Sequence, residues 1–345
     1  MLNVSLPDEM RKCLYFLGID YHQAFVQVCV MDADGNILMN RRCASTVTAV
    51  RQAVEQAVPR GAAVQAAIEA CNGAADFAEE LVATGWQVSL AHATYVHKLK
   101  QSPDKTDWSD ARMLADLTRV GYLPKVWLPP RDLRQLRHLV RRRQQLAERR
   151  RTAKQRVTAL LRAERVEFTG SRWTKAWLKA VRKCADLGEQ GLWVVNELLD
   201  EAVEVQRQLD RTEARLEDLT RDDPFVKHLR TQRGVGLITA VTLRAEWGTM
   251  ARFRSGKQLS RFCALSPRNA SSGQKQADAG VIQAGNRELR RVLIETAHRL
   301  MRCDPRWQAL GQSLKARGKK TNVAAVAVAN RWVRWLYHPL KALGV

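Results

Sequence analysis

Long apolar runs are missing from this sequence of 345 residues. No window approaches the roughly 18 uninterrupted apolar residues that a membrane-spanning helix needs. The first twelve residues include Asp8 and Glu9, and they lack the basic start and the long apolar core of a secretory signal. We therefore expect a protein that has no membrane partner and stays in the cytoplasm.

Paired cysteines are missing as well. The seven cysteines are scattered without a CxxC pair, and their odd number argues against a disulfide framework or a zinc site. We expect reduced and mostly buried thiols. Among the seven histidines, His22, His92 and His97 lie nearest to the acids considered below, but none has metal-ligand spacing, so the sequence assigns them no role.

Acidic residues are scarce relative to basic ones. The chain has 57 Lys plus Arg against 35 Asp plus Glu, a net charge of +22, which suits a polyanion such as nucleic acid. The excess is densest from Arg131 to Arg165, where 13 basic residues face three acids, and this stretch predicts a long, very basic helix. The arginines there that we expect to contact nucleic acid are Arg141, Arg142, Arg143, Arg149, Arg150 and Arg151.

Strands that alternate with helices are predicted from Leu14 to about Leu123. The runs LYFLGID, VQVCVMD and NILMNRR, with the turn signal Asp34-Gly35, predict three consecutive strands that form a meander. Two more strand-like runs, AAVQAAIEA and WQVSLAH, alternate with helical stretches near 49–58, 74–83 and 107–120. This alternation indicates an α/β domain.

Two helical regions follow. The stretch from Leu198 to Leu219 has apolar or small side chains at alternating spacings of four and three, which predicts a coiled-coil seam and favours self-association. The seam consists of Leu198, Ala202, Val205, Leu209, Thr212, Leu216 and Leu219. From Pro224 onward, helical runs punctuated by glycines predict a mainly helical C-terminal domain. The predicted domains are residues 12–124, 125–222 and 223–345.

Four acids are candidate metal ligands. Asp20 and Glu69 each end an apolar strand, so their side chains can converge at one edge of a sheet. Asp107 and Asp110 are three residues apart at a helix start and project from one face. Clustered carboxylates repel each other unless a divalent cation neutralises them, and hard oxygen ligands suit Mg²⁺ or Mn²⁺. The pattern predicts metal-assisted phosphoryl transfer, although each acid alone is also compatible with a solvated end or a helix cap.

A glycine turn is a second candidate site. Gly234 and Gly236 precede an apolar helix, as in a helix-hairpin-helix whose turn amides hold a backbone phosphate, although a simple interhelical turn would look the same. The basic-aromatic runs RWTKAW and RWVRW could stack on bases. For these two runs we favour core tryptophans beside solvated arginines.

A polar loop carries a candidate nucleophile. In LSPRNASSGQK, Ser271 and Ser272 precede Gly273, with Arg268 and Lys275 beside them as candidate nucleic-acid contacts. A nucleophilic serine needs a base or a metal to take its proton, and no His-Asp pair is nearby in sequence. The carboxylate site is the candidate source of that activation, whereas most Ser-Gly pairs are merely turns.

With these residues in place, the whole chain resembles the IS110 family of insertion-sequence transposases, DEDD recombinases that include relatives of the Piv DNA invertase. The family's aspartate in a strand ending GID falls on Asp20, its glutamate on Glu69, and the aspartates of KTDxxDA on Asp107 and Asp110. Its C-terminal motifs PGIG, serine before glycine, and GNxxLRR fall on 233–236, 272–273 and 285–291, and the end of its motif FxxxxGLxP lies within 262–267. The matching nucleophile is Ser272.

The chain departs from the family pattern at a few positions. Cys71-Asn72 stands where Thr-Gly is usual after the glutamate, and Arg233 replaces a proline. Neither departure removes a predicted catalytic group. Ser271, next to Ser272, leaves the register of the nucleophile open.

The resemblance implies a three-part architecture and a mechanism. It implies an α/β RNase H-like (RuvC-like) N-terminal domain, a central helical coiled coil for dimers or tetramers, and a mainly α transposase domain, with catalysis completed where the domains meet. It also implies Mg²⁺ or Mn²⁺ held by the four carboxylates, attack by Ser272 and a covalent phosphoserine before strand exchange. A structured noncoding guide, called a bridge RNA, would pair with donor and target DNA, so the protein would contact backbones and associate with the nucleoid.

Two other interpretations remain open. A RuvC-type junction nuclease would keep the carboxylates and cut with metal-activated water, without a covalent intermediate. A noncatalytic RNA- or DNA-binding protein would use the arginine helix alone. Steep salt dependence of binding is expected of all three, because arginine-phosphate contacts release counterions whatever chemistry follows.

Overall fold

The computed structural model describes residues 14–99, 106–269, 278–282 and 285–344. The chain divides into two compact units, with the boundary between Arg131 and Asp132. The second unit contains the predicted C-terminal segment and the predicted central segment from residue 132 onward, whereas residues 125–131 belong to the first unit. The division near residue 222 stays a prediction. No helix in the described part of the chain combines the length and the apolar character needed to cross a bilayer.

The first unit contains a six-stranded mixed sheet. Its strands are β1 (Leu14–Tyr21), β2 (Phe25–Met31), β3 (Ile37–Ala44), β4 (Ala63–Glu69), β5 (Gln87–Ala91) and β6 (Lys125–Val126). Their order is β3-β2-β1-β4-β5-β6. Strands β1 to β3 form an antiparallel meander, β4 and β5 are parallel to β1, and β6 is antiparallel to β5. The predicted meander and the two later strands are confirmed.

Helices cover both faces of this sheet. They are α1 (Val47–Glu55), α2 (Ala74–Val82), α3 (Ala93–Leu99) and α4 (Asp107–Arg119). Leu17 and Ile19 of β1 are buried in a cluster with residues of α1 and α2. Phe16 of β1 instead packs with Ala111 and Ala115 of α4. Because strand side chains alternate between faces, the even-numbered residues of β1 all face α4.

Helix α4 lies unusually close to β1. A Cβ atom added at Gly18 would be 1.9 Å from the carbonyl oxygen of Ala111 and 2.4 Å from the nitrogen of Ala115, both in the helix backbone. Glycine is therefore the one residue that permits this contact. The contact brings the first turn of α4 beside the end of β1.

The second unit is mainly helical. Its helices are α5 (Arg131–Ala163), α6 (Lys175–Val181), α7 (Gly188–Thr220), α8 (Pro224–Arg230), α9 (Leu237–Trp247), α10 (Gly256–Phe262), α11 (Arg287–Cys303), α12 (Pro305–Ala316) and α13 (Thr321–Ala342). A short antiparallel pair, β7 (Pro267–Asn269) and β8 (Asp278–Val281), lies between α10 and α11. The sequence did not predict this pair. The predicted mainly helical character is confirmed.

The long helices α5 and α7 pack against each other in antiparallel directions. Leu146 of α5 forms a buried cluster with Val205 and Leu209 of α7. Four residues of the predicted seam, Ala202, Val205, Leu209 and Leu216, are thus buried within one chain, whereas Leu219 is 50% exposed. Self-association stays a prediction, and it would use other side chains of α7, such as Trp193, which is 62% exposed.

Candidate functional site

The sheet and α4 bring the predicted acids together. Ile19 of β1 pairs with Ile68 of β4 in parallel register, so Asp20 and Glu69 follow at the adjacent carboxyl ends of the two strands. Asp20 and Phe16 are both even-numbered residues of β1, so the side chain of Asp20 also faces α4. Helix α4 starts at Asp107, with a capping box between Thr106 and Ser109 that sets its first turn.

Asp20 and Asp107 converge on a histidine. His22 Nε2 lies 3.2 Å from Asp20 Oδ2 and 3.5 Å from Asp107 Oδ1, and ligand atoms of the three residues lie within 4.8 Å of one another. The sequence assigned His22 no role, and the structure places it beside both acids. Its spacing of two from Asp20, across a strand end, was the only sequence signal.

Arg42 and His22 both contact the carboxylate of Asp107. Arg42 Nη2 donates to Asp107 Oδ2 at 3.0 Å, and the Arg42 guanidinium lies 3.8 Å from the centroid of the Phe25 ring. The His22 ring stacks on the same phenyl ring at 4.6 Å. Because 60% of the Arg42 side chain is exposed, the ion pair contributes about 0 to 1 kcal/mol, so a metal ion could replace it at low cost.

The electrostatics of Asp20 identify the neighbouring acids. Burial raises the pKa of this carboxyl above its usual range, the charge and hydrogen bond of His22 lower it, and the charges of Asp107 and Asp110 raise it again. Asp110 thus acts on the same point as Asp107. This crowding of negative charge is what a divalent cation would relieve.

Glu69 lies beside the cluster and outside the group of atoms within 4.8 Å. Burial first, and then the charges of Glu69 and Asp20, raise the pKa of the Cys71 thiol. Both carboxylates therefore lie near one sulfur atom. The residues fit a hard divalent cation, since the donors are carboxylate oxygens with one imidazole nitrogen.

Polar side chains of β2 and β3 hold the first turn of α4. Gln27, which is 7% exposed, donates from Nε2 to Asn40 Oδ1 at 2.7 Å. Asn40 in turn donates from Nδ2 to the backbone oxygen of Trp108 at 3.0 Å. Trp108 stands between Asp107 and Asp110 in sequence, so this relay positions both acids.

Replacing Asn40 by Ala is expected to weaken Mn²⁺ binding by about tenfold, because partners that orient metal ligands typically contribute 10- to 100-fold in affinity. Titration calorimetry on the purified protein measures this change. Asn36→Ala is the matched control, since Asn36 hydrogen-bonds only Asp32 in the turn between β2 and β3. Equal Mn²⁺ affinities of Asn40→Ala and wild type would contradict a positioning role for Asn40.

Most of the predicted arginines of α5 bind other side chains of the second unit. Arg142 and Arg150 donate to Gln208 and Gln206, and Arg143, Arg149 and Arg151 pair with Glu213, Glu201 and Glu148. Arg141 is exposed. Helix α7 thus neutralises part of the charge that the sequence assigned to nucleic acid, and the role of these arginines stays a prediction.

The remaining predicted residues lie apart from the acids in sequence. Ser271, Ser272 and Lys275 fall outside the described residues, whereas Arg268 is exposed on β7. In the glycine turn, Arg299 Nε donates to the carbonyl oxygen of Gly234 at 2.9 Å, and the exposed Gly236 begins α9 without a side-chain cap. Both features are compatible with a phosphate-binding turn, which stays a prediction.

The tryptophans of the two basic-aromatic runs are buried or half-buried. Trp177 and Trp332 are buried core residues, as favoured above, and Trp335 is half-buried. The arginines of the second run, Arg331 and Arg334, are exposed, as favoured above. Because they are three residues apart, they lie on one face of a helix.

Comparison with known proteins gives a consistent family. A model for the DEDD transposases of IS110, described as "Transposase", matches residues 17–164, and one described as "Transposase IS116/IS110/IS902 family" matches residues 226–312. A Sinorhizobium fredii protein described as "Putative transposase" is 30% identical over 262 residues, 68% of this chain and 64% of that relative's length.

A second relative covers nearly the whole chain. The transposase for insertion sequence element IS1111A of Coxiella burnetii is 26% identical over 335 residues, 93% of this chain and 88% of its own length. The region that matches the first family model, residues 17–164, contains all four predicted acids. Together with the two matched regions, which cover more than half of the sequence, this similarity means that the chain belongs to the IS110 family of insertion-sequence transposases.

Proposed function

We propose that this protein catalyses RNA-guided, site-specific cleavage and exchange of DNA strands for an insertion sequence. The observation that carries the proposal is the convergence of Asp20 and Asp107 on one point, with Asp110 acting on it electrostatically. The strand order and the acids at the adjacent ends of β1 and β4 support the RNase H-like (RuvC-like) fold that the resemblance implies.

Asp20, Asp107, Asp110 and Glu69 would hold Mg²⁺ or Mn²⁺. Bound there, the ion would neutralise the charge that develops on a phosphate during transfer. The chain's own groups prepare the site without it. Arg42 and His22 keep Asp107 and Asp20 close together, and the relay from Gln27 through Asn40 fixes the turn that carries Asp107.

Ser272 is the proposed nucleophile. Its Oγ would bond to the phosphorus of the scissile phosphodiester as the hydroxyl proton leaves, and the bond from phosphorus to the departing sugar oxygen would break as that oxygen takes up a proton. Attack by a sugar hydroxyl of the second DNA would reverse these changes and free the serine. The number of phosphoester bonds is unchanged, so exchange needs no external energy source.

The proposed partners follow from the same interpretation. Donor and target DNA would be read by pairing with a structured guide RNA, while the protein contacts phosphate backbones with its basic residues. A dimer or tetramer in the cytoplasm, associated with the nucleoid, is the proposed assembly. The net charge of +22 on each chain suits a complex with two kinds of polyanion.

The test is detection of a covalent protein-DNA adduct on a denaturing gel. The reaction contains protein, Mg²⁺, labelled donor and target DNA, and RNA transcribed from the flanks of the element. We expect an adduct with wild type and with Ser271→Ala, and none with Ser272→Ala or Asp107→Ala. The Ser271 variant is the register control, because it removes a hydroxyl one residue away.

Other outcomes would select the alternatives. Metal-dependent cutting without an adduct would indicate a RuvC-type nuclease. Binding that is independent of Mg²⁺, with no strand breakage, would indicate a noncatalytic nucleic-acid-binding protein. An adduct that is lost in Ser271→Ala and kept in Ser272→Ala would move the nucleophile by one residue.

A further inference from the structure

A cleft of about 820 Å³ in the second unit is lined by basic side chains. It lies among α10, α12 and α13, and the cations that line it are Arg254, Lys257, Arg306, Arg331 and Arg334. Among the described residues, no carboxylate lines it. Within the described part of the chain, none of these five side chains forms an ion pair with an acid, although all five are exposed.

This cleft differs from the basic surface of α5. On α5, Arg143 and Arg149 pair with glutamates of α7, so much of their charge is already compensated. In the cleft, like charges face each other without compensation, which costs free energy in the isolated protein. Uncompensated positive charge at a concave surface attracts an anion and concentrates it there.

Helix spacing and a close backbone contact build a ridge from three of these cations. Arg331 and Arg334 lie on the exposed face of α13, and Trp332 and Val333 lie in the core. A Cβ atom added at Gly256 would be 2.7 Å from the carbonyl oxygen of Arg334, so α10 touches the backbone of α13. Lys257 therefore joins the two arginines, and we call Lys257, Arg331 and Arg334 the basic ridge.

A second groove, of about 890 Å³, lies on the other side of the basic ridge, since all three ridge residues line both cavities. Its remaining wall exposes mainly apolar atoms, from Pro267 of β7, Val281 of β8 and Val323, which is 51% exposed, and it also contains the cation Arg261 and a few polar side chains. Bases offer flat apolar faces to such a wall, and phosphates would meet the cations.

The aromatic wall of the first cleft is equally suited to a polynucleotide. The Arg306 guanidinium lies 4.8 Å from the ring centroid of Trp307 and 5.2 Å from that of Trp335. The two rings meet edge to face with their centroids 6.3 Å apart, so the guanidinium packs against both of them, and this contact restricts its movement. Phosphodiester chains match this combination of fixed cations and aromatic surface better than small anions do.

We propose that the basic ridge binds the phosphate backbone of a single DNA strand, with bases of that strand lying in the apolar groove beside β7 and β8. The choice of DNA over RNA rests on the proposed function, because the predicted Ser272 lies in the sequence between these two strands. The ridge would then position the strand whose phosphate the serine attacks.

Binding in EDTA tests the ridge separately from catalysis. The full chain is titrated into fluorescein-labelled oligothymidylate of about 20 nucleotides at several salt concentrations, and anisotropy is recorded. The ridge variant carries Lys257→Ala, Arg331→Ala and Arg334→Ala. The control carries Lys315→Ala, Arg317→Ala and Lys319→Ala, three exposed cations outside both cavities.

The ridge variant is expected to bind at least about tenfold more weakly than the control. The slope of log affinity against log salt should fall by about 2, since each phosphate contact of a single strand contributes about 0.7. A variant with Arg331→Lys and Arg334→Lys keeps the charge and should keep the slope, and thermal melting followed by circular dichroism confirms folding. Wild-type affinity and slope in the folded ridge variant would overturn the proposal.

An RNA arm identifies the ligand. Oligouridylate of the same length is titrated under the same conditions, and equal or smaller losses for uridylate than for thymidylate support the ridge. A loss confined to uridylate would overturn the assignment to DNA. Since no strand is cut in EDTA, these results are unaffected if Ser272 proves not to be the nucleophile.

The apolar groove has its own variant. Val323→Glu places a negative charge at the exposed edge of the groove and should weaken oligothymidylate binding by about tenfold, through repulsion of the strand. Val203→Glu on α7, where Val203 is 41% exposed, is the matched control for adding one acid. Equal effects of the two variants would remove the groove from the binding site.

Discussion

Replacing Asp20 by Asn is expected to reduce Mg²⁺-dependent strand cleavage by about 10³-fold or more and to stabilise the metal-free protein slightly. Cleavage falls because the variant loses one of the proposed metal ligands, at the point where Asp107 and His22 meet. Stability rises because burial, together with the charges of Asp107 and Asp110, disfavours the ionised form of Asp20, which is reflected in its raised pKa.

The pH dependence gives the sign of this effect. A carboxyl whose pKa is higher in the folded than in the unfolded state binds more protons when folded, so metal-free wild type gains stability as pH falls through the raised pKa. The Asp20→Asn variant lacks this contribution. Thermal melting in EDTA between neutral and mildly acidic pH measures it, and added Mn²⁺ should stabilise wild type but hardly the variant.

Asp32→Asn is the matched control for this prediction. Slight burial would raise the pKa of Asp32, but hydrogen bonds from Asn36, Asp34 and Gly35 outweigh it and lower the pKa. The same substitution should therefore destabilise the protein at neutral pH and leave cleavage unchanged. An Asp20→Asn protein that keeps wild-type cleavage, or that is less stable than wild type in EDTA, would contradict the metal site.

Replacing Gly18 by Ala is expected to destabilise the first unit by about 3 kcal/mol or more. The new methyl group would lie 1.9 Å from the Ala111 carbonyl oxygen, so β1 and α4 would have to separate, whereas overpacking a core costs typically 1 to 3 kcal/mol. The same movement would draw Asp107 away from Asp20. Chemical denaturation measures the free energy of unfolding, and Mn²⁺ titration measures the loss of the site.

Gly191→Ala on α7 is the control for adding a methyl group at a glycine. Its nearest contact would be the Leu187 Cβ at 3.6 Å, an ordinary van der Waals distance. Because alanine favours a helix over glycine by about 1 kcal/mol, this variant should be as stable as wild type or more stable. A Gly18→Ala protein with wild-type stability would show that α4 can move away from β1 at no cost.

The sheet of the first unit was predictable from local pattern. The runs that became β1 to β5 alternate or are continuously apolar, and helices near 49–58, 74–83 and 107–120 were observed as α1, α2 and α4. Strand β6, with two residues, and helix α3, with seven, are too short for a period to be read. The pair β7 and β8 could not be predicted for the same reason, since its strands have only three and four residues.

The candidate site was only partly predictable. Asp20 and Asp107 could be named because each follows a pattern, an apolar strand in one case and a helix start in the other. His22 and Arg42 carry no such pattern. They join the site because β1, β2 and β3 are antiparallel neighbours, which brings residues from three strand segments to α4.

The sequence by itself determined the order of strands and helices, the positions of the acids at their ends and the excess of positive charge, because these depend on composition and on neighbours within a few residues. Tertiary structure decided which charges remain available. Arg143 meets Glu213 across 70 residues and Arg42 meets Asp107 across 65, while Arg331 and Arg334 meet no acid in the described chain. An ion pair forms only when packing brings two side chains within a few ångströms, so the cations left for nucleic acid are known only after the chain has folded.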